Sequence, residues 1–413
     1  MDIFEIIALL LTLTAVFSYV NYRFIKLPVT IGVMLIALVF SLLLVVLEQF
    51  GINLGDRAEA IMQGIDFNQT LMQGMLSFLL FAGALHVDLG DLAKQKIVIL
   101  VLATVGVLIS TFISGTLFYF AAQGFGYEIS YAYGLLFGAL ISPTDPIAVL
   151  GILKKISVPK ELETKIAGES LFNDGVGVVV FIVISEIAIG GAPVEFGHIS
   201  LLFLEEAVGG ILFGVVIGLI AYYMLKSIDN YKVEVLITLG LVAGGYALAT
   251  AIHTSGPIAI VVAGLFIGNR GRQFAMSEKT RKHLDNFWEL SDEILNAILF
   301  LLIGLEVLIL RFTQNSLIMS LFAIIFVLFA RMIAVGVPIT ALKIFKNFPR
   351  GTSRILLWGG LKGGISVALA LSIPPGPERS LILVATYVVV VFSIVVQGLT
   401  IKPLALSIFK NRG

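Results

Sequence analysis

The chain reads as an all-α membrane protein of about thirteen transmembrane helices, arranged as two inverted six-helix repeats with a broken helix in each. Three observations lead there. Of 413 residues, 58% are hydrophobic and only 13% charged, whereas a soluble domain carries about a quarter charged residues. Apolar runs of about 17–25 residues, the length that crosses a bilayer, recur along the whole chain. The third observation is the placement of the basic residues between those runs.

The runs, in order, are Ile3–Val20, Leu27–Leu47, Thr70–Val87, Ile97–Ala122, Ile129–Leu153, Ile166–Ile189 and Ile199–Leu225. Then follow Val233–Ile252, Ser255–Gly268, Trp288–Leu310, Ser316–Phe345, Ile355–Ile373 and Leu381–Thr400. The first begins without basic residues or a small-residue cleavage site, so it is expected to be a retained span and not a removable signal. The ninth is the shortest and needs help from its flanks or a thinned position inside the bundle. Lysine and arginine cluster in segments that follow odd-numbered spans: Arg23 and Lys26, Lys94 and Lys96, Lys154, Lys155, Lys160 and Lys165, and Lys226 and Lys232. The cluster continues between Arg270 and Lys282, between Lys343 and Arg354, and at Lys402, Lys410 and Arg412. Segments after even-numbered spans hold only Arg57, Arg311 and Arg379. Cytoplasmic loops are the lysine- and arginine-rich ones, which predicts an N-terminus outside, a cytoplasmic C-terminus and a cell-membrane location. Lysine plus arginine equals aspartate plus glutamate at 27 each, so net charge points to no partner, nucleic acid included. There is no cysteine, which excludes disulfides, thiolate metal sites and a cysteine nucleophile.

Ionisable residues inside spans are functional or paired by default. The acids that stand out are Asp145, Glu169 and Asp174; the bases are Arg331 and Lys362. Asp145 lies in Ser142-Pro143-Thr144-Asp145-Pro146 within the fifth span. Each proline removes an amide hydrogen and blocks the carbonyl four residues earlier, which frees the carbonyls of Ala139 and Ser142 at mid-membrane. Backbone exposed at that depth survives only against protein or a water-filled cavity. In the sixth span Ser170 and Asp174 sit about 40° apart on one face, and Glu169 and Asn173 share a neighbouring face. Glu169 and Asp174 diverge by about 140°. One corner is a hydroxyl–carboxylate pair suited to a hard cation; the other is a glutamate–amide pair suited to a buried arginine, for which Arg331 is the candidate. The twelfth span, Trp358-Gly359-Gly360-Leu361-Lys362-Gly363-Gly364-Ile365-Ser366, places four glycines around a lysine, which breaks a helix or makes a close-packing surface.

Spans 5 and 12 run in opposite directions, so spans 1–6 (residues 1–190) and 8–13 (233–400) are expected to be inverted copies. Span 7 (199–225) joins them, and 401–413 form a short cytoplasmic tail. Paired breaks at corresponding positions are the arrangement of secondary transporters. Asp145 is suited to compensate the amide ends of broken helices near the midplane, and Lys362 the carbonyl ends.

These motifs resemble the signature of the monovalent cation:proton antiporters of the NhaP type, over essentially the whole chain. Ser142–Pro146 is similar to that family's broken-helix motif, Phe172-Asn173-Asp174-Gly175 to its ion-site motif, and Gly360–Ser366 to its glycine-rich late span, usually with arginine where Lys362 stands. The resemblance implies exchange of Na+ (or Li+) for H+. In it Asp174 binds the ion, and Ser170, a carbonyl around Thr144 and water complete the shell. It also implies a Glu169–Arg331 structural pair and a homodimer in the lipid bilayer, with no cofactor. Asparagine at position 173 resembles the electroneutral one-for-one exchangers. Relatives often carry an acid after the Leu-Leu-Phe of the third span, where this chain has Ala82; Asp88, further along, supplies a site oxygen or sits at the surface beside Asp91.

Burial disfavours a charged carboxylate, so proton and sodium are expected to compete for Asp174. A potassium-selective exchanger or cation channel is the nearest alternative, although no Thr-Val-Gly-Tyr-Gly filter occurs. A hydrolase is not expected, because no Gly-x-Ser-x-Gly elbow is present and the four histidines fall near span ends or in loops.

Overall fold

The computed structural model describes residues 3–49, 67, 70–154, 156, 158–190, 196–346 and 348–409, and every regular element among them is helical. Arg57, Lys155, Lys410 and Arg412 lie outside the described residues. Eight stretches are long and apolar enough to cross a bilayer: Phe4–Ile25, Val29–Leu47, Leu89–Gly124, Lys160–Ala188, Ser200–Lys226, Tyr231–Ala251, Gln314–Leu342 and Pro377–Phe409. The other predicted spans fall on helices that are shorter, interrupted or more polar at one end.

In chain order the helices are α1 (Ile3–Val20), α2 (Val29–Gln49), α3 (Leu76–Leu85), α4 (Leu89–Val101), α5 (Val107–Gly124), α6 (Tyr131–Ile141) and α7 (Ile147–Lys154). There follow α8 (Lys160–Ala188), α9 (Phe196–Lys226), α10 (Tyr231–Ala251), α11 (Gly256–Phe266), α12 (Glu278–Leu305) and α13 (Gln314–Leu342). The last are α14 (Thr352–Trp358), α15 (Gly364–Ser372), α16 (Pro377–Phe392) and α17 (Gly398–Phe409). A π-helical turn, Leu102–Gly106, joins α4 to α5, and another, Ser393–Gln397, joins α16 to α17. The final helix thus runs past Thr400 to Phe409, with Ile401 and Ala405 buried; the first part of the predicted tail is helical because its apolar residues find a packing face.

Large apolar side chains on α1, α2, α9 and α13, such as Leu11, Leu43, Leu212 and Leu321, are exposed. Such a surface is favoured against acyl chains, where the hydrophobic effect exacts no penalty. The interior holds two apolar clusters. One contains the stacked pair Phe118–Phe137, with ring centroids 4.0 Å apart; the other surrounds Trp288, which packs on Phe81 and donates to Thr238 at 3.1 Å. Backbones approach closely where α5 crosses α6: a Cβ on Gly138 would lie 2.1 Å from the Thr111 carbonyl oxygen. Only glycine allows that approach. The short α11 is likewise interior, its Gly264 lying against Ala84 and the Phe81 carbonyl of α3.

Candidate functional site

The two proline-flanked and glycine-rich stretches are both unwound, and they cross each other. Helix α6 stops at Ile141 and α7 starts at Ile147; α14 stops at Trp358 and α15 starts at Gly364. The intervening strands meet in an antiparallel bridge, with the Asp145 amide donating to the Leu361 carbonyl at 2.8 Å. Four helix ends therefore converge at one level, two presenting carbonyls and two presenting amides.

Each end is met by charge or by a hydrogen bond. The Lys362 ammonium, 2% exposed, donates to the carbonyls of Ser142 at 3.0 Å and Pro143 at 3.2 Å. The Ala139 carbonyl, freed by Pro143, accepts from the Ser142 amide at 3.2 Å. Asp145 Oδ1 accepts from the Ile147 amide at 2.9 Å, capping α7. The same carboxylate rests against Gly363, where a Cβ would come within 2.6 Å of Asp145 Oδ2. Gly360 plays the same part for Arg331, whose Nε would lie 2.5 Å from a Cβ there. The glycines of this segment thus break the helix and also make room for two buried charged groups. The amide of Lys362 donates to Ser393 Oγ at 2.9 Å, Ser393 donates to Gln397 Oε1 at 2.7 Å, and Gln397 Nε2 donates to the Trp358 carbonyl at 3.2 Å.

Helix α8 carries the remaining predicted residues. Glu169 pairs with Arg331 at 2.5 Å, and Arg331 Nη2 also donates to the Leu356 carbonyl at 2.8 Å. Asn173 does not join that arginine: its Nδ2 donates to Thr144 Oγ1 at 2.8 Å, and its Oδ1 accepts the Thr144 amide at 3.3 Å. Thr144 Oγ1 also meets Ser170 Oγ at 3.1 Å. Ser170 Oγ thus meets Thr144, and Asp174, one turn further along α8, lines the cavity together with Thr144. Ser170 and Asn173 are buried, and their bonds to Thr144 hold the unwound backbone in place.

Asp174, Asp145 and Thr144 line a cavity of about 660 Å³. No described group donates a hydrogen bond to the Asp174 carboxylate, while Asp145 and Lys362 lie close enough for their charges to act on it. Asp91, Lys154, Lys160 and Glu163 also border the cavity; Lys160 pairs with Asp91 at 2.5 Å. Asp88 is exposed there and caps α4 through the Asp91 amide at 2.9 Å. The third span contributes Ala82, Gly83 and His86 to the wall, and no carboxylate until Asp88; α12 contributes Asp292 and Asn296. Sequence reasoning set Asp292 aside as an acid near a span end, and passed over Asn296, Ser393 and Gln397 as neutral residues within predicted spans. Asp292 with Asn296, and Ser393 with Gln397, are each spaced one helical turn apart, the spacing that places two polar groups on one face.

The family model described as sodium/hydrogen exchanger, transmembrane, matches residues 9–407. A Na(+)/H(+) antiporter NhaP of Pseudomonas aeruginosa is 53% identical over 414 residues, covering 99% of this chain and 97% of that one. A Na(+)/H(+) antiporter NhaH of Halobacillus dabanensis is 36% identical over 411 residues, covering 98% and 97%. The solved structure of the sodium proton antiporter MjNhaP1 from Methanocaldococcus jannaschii at pH 8 superposes with a TM-score of 0.78 over 99% of each chain at 20% identity, a likeness of fold.

Proposed function

The chain belongs to the sodium/hydrogen exchanger family, and from that premise we propose that it exchanges sodium, or lithium, for protons by competition at Asp174. The observation that carries this reading is the position of Asp174 on the wall of a large cavity, beside the crossing of two broken helices. Thr144 and water complete the oxygen shell preferred by a hard cation, and Ser170 and Asn173 hold Thr144 in register. Asp145 and Lys362 compensate the converging helix ends, so the crossing carries little net field of its own. Glu169 and Arg331 lock α8 to α13 and act structurally.

An ionised carboxylate with neither ion is disfavoured within a membrane by several kcal/mol. The protein therefore changes the side it opens to only when Asp174 holds a proton or a sodium ion. With asparagine at 173, one carboxylate serves both ions and the exchange is one for one and electroneutral. The basic residues at the cavity mouth, Lys154 and Lys160, follow an odd-numbered span, which supports a cavity open to the cytoplasm with the C-terminus on the same side. The full arrangement is thirteen spans in inverted repeats, in a homodimer in the cell membrane, with one bundle rocking against the other. Proteoliposomes with an internal pH dye test the core of this: Asp174→Asn abolishes sodium-driven pH change, and retained exchange refutes it. The same assay across the alkali series separates a sodium exchanger from a potassium-selective one.

A further inference from the structure

A second group of polar residues lines the cavity from α12 and α15. Asp292 and Asn296 lie one turn apart on α12, and both line the cavity that holds Asp174. Asn296 is 1% exposed. Its Nδ2 donates to the Asp292 carbonyl at 2.8 Å and to Asp292 Oδ1 at 3.0 Å. Two acceptors for Nδ2 fix which end of the amide is nitrogen and leave Oδ1 as the other. No donor among the described residues meets that oxygen. Ser366, on the first turn of α15, is equally buried, lines the same cavity and has a hydroxyl without a partner among the described residues. The two helices touch at this level: a Cβ on Gly364 would lie 2.5 Å from the Leu299 side chain, one turn from Asn296 and two residues before Ser366. Asp145 is near enough for its charge to act on Asp292 as well as on Asp174.

Buried polar atoms are almost always partnered, and two orphan oxygens on residues that line the same cavity as the Asp292 carboxylate call for a ligand that brings positive charge. Neutral and anionic oxygens together are the ligand chemistry of a hard cation. We propose that Asp292, Asn296 Oδ1 and Ser366 Oγ form a second alkali-cation station, where sodium sheds part of its hydration before it passes to Asp174. This rests on the reading of Asp174 as the exchange site. The station sets the apparent affinity for sodium entering from the cavity side, while Asp174 sets whether exchange occurs at all.

The test is ²²Na+ uptake by proteoliposomes, with sodium varied on the cavity side, for Asp292→Asn, Asn296→Leu and Ser366→Ala. Loss of one neutral ligand raises the apparent KM about fivefold, and loss of the carboxylate raises it more, while the maximal rate stays within about twofold. Asn296→Asp, which replaces a neutral oxygen with an anionic one, lowers the KM. Equilibrium ²²Na+ binding to purified protein provides a readout independent of turnover. Asp174→Asn retains weak saturable binding, and adding Asp292→Asn removes it. Sodium KM values within about twofold of the parent in all three variants, or a fall in maximal rate at unchanged KM, overturn the station. So does complete loss of saturable binding in Asp174→Asn alone. Continued exchange by Asp174→Asn is a different failure, that of the exchange-site assignment.

Discussion

Replacing Glu169 by glutamine removes one charge of a pair that is almost wholly shielded: Glu169 is 2% exposed and Arg331 7%. The guanidinium cannot escape, because it is wedged on Gly360 and bonded to the Leu356 carbonyl. Breaking a buried pair by removing one partner costs about 3–5 kcal/mol, chiefly because the other charge stays behind uncompensated. Against a total stability of about 5–15 kcal/mol, that is roughly a fifth or more of the reserve. Removing both charges, as in Glu169→Leu with Arg331→Met, removes the desolvation penalty of each, and the double variant is expected to lie within about 2 kcal/mol of the parent. The assay is thermal unfolding in detergent, followed by fluorescence-detected size exclusion, for Glu169→Gln, for the singles Glu169→Leu and Arg331→Met, and for their double. Singles that lose less than about 1 kcal/mol, or a double as unstable as the sum of the singles, would refute the pairing argument.

Three further outcomes are expected. Lys362→Met leaves the Ser142 and Pro143 carbonyls without the cation they share and forfeits two charge-assisted bonds of about 1.5–3 kcal/mol each; thermal unfolding should show a large loss that Lys362→Arg partly restores. Gly363→Ala drives a methyl group into the Asp145 carboxylate at a cost of about 1–3 kcal/mol; exchange measured in vesicles should slow sharply while the purified protein stays monodisperse. Exchange should be indifferent to an imposed membrane potential, as one-for-one stoichiometry requires; a rate that follows potential after leak correction excludes it.

Much of the interior geometry was legible where chemistry and spacing coincide. Pro143 and Pro146 cannot sit in an uninterrupted helix, and the glycines around Lys362 mark the second unwound stretch. The angular separation of Glu169 from Asp174 directs them to different neighbours, and Glu169 is found on Arg331. Partners across long sequence distances were harder to read. Helical angles tell which face Asn173 occupies but not what faces it, so its bonds to Thr144 could not be distinguished from a place beside Arg331. Asp292 looked like an end-of-span acid because depth in a bundle depends on how far α12 is inserted, which its own hydropathy does not reveal. Ser393 and Gln397 acquire a role only once the twelfth span has broken and left the Lys362 amide and the Trp358 carbonyl in need of partners.

The competition at Asp174 can be measured without transport. Sodium titrated calorimetrically into purified protein at mildly acidic pH, in buffers of different ionisation enthalpy, reports the protons released on binding. The account predicts release of about one proton per sodium bound at saturation, abolished in Asp174→Asn, as when any cation displaces protons from its ligand. Sodium binding with no linked proton release in the parent protein would contradict it.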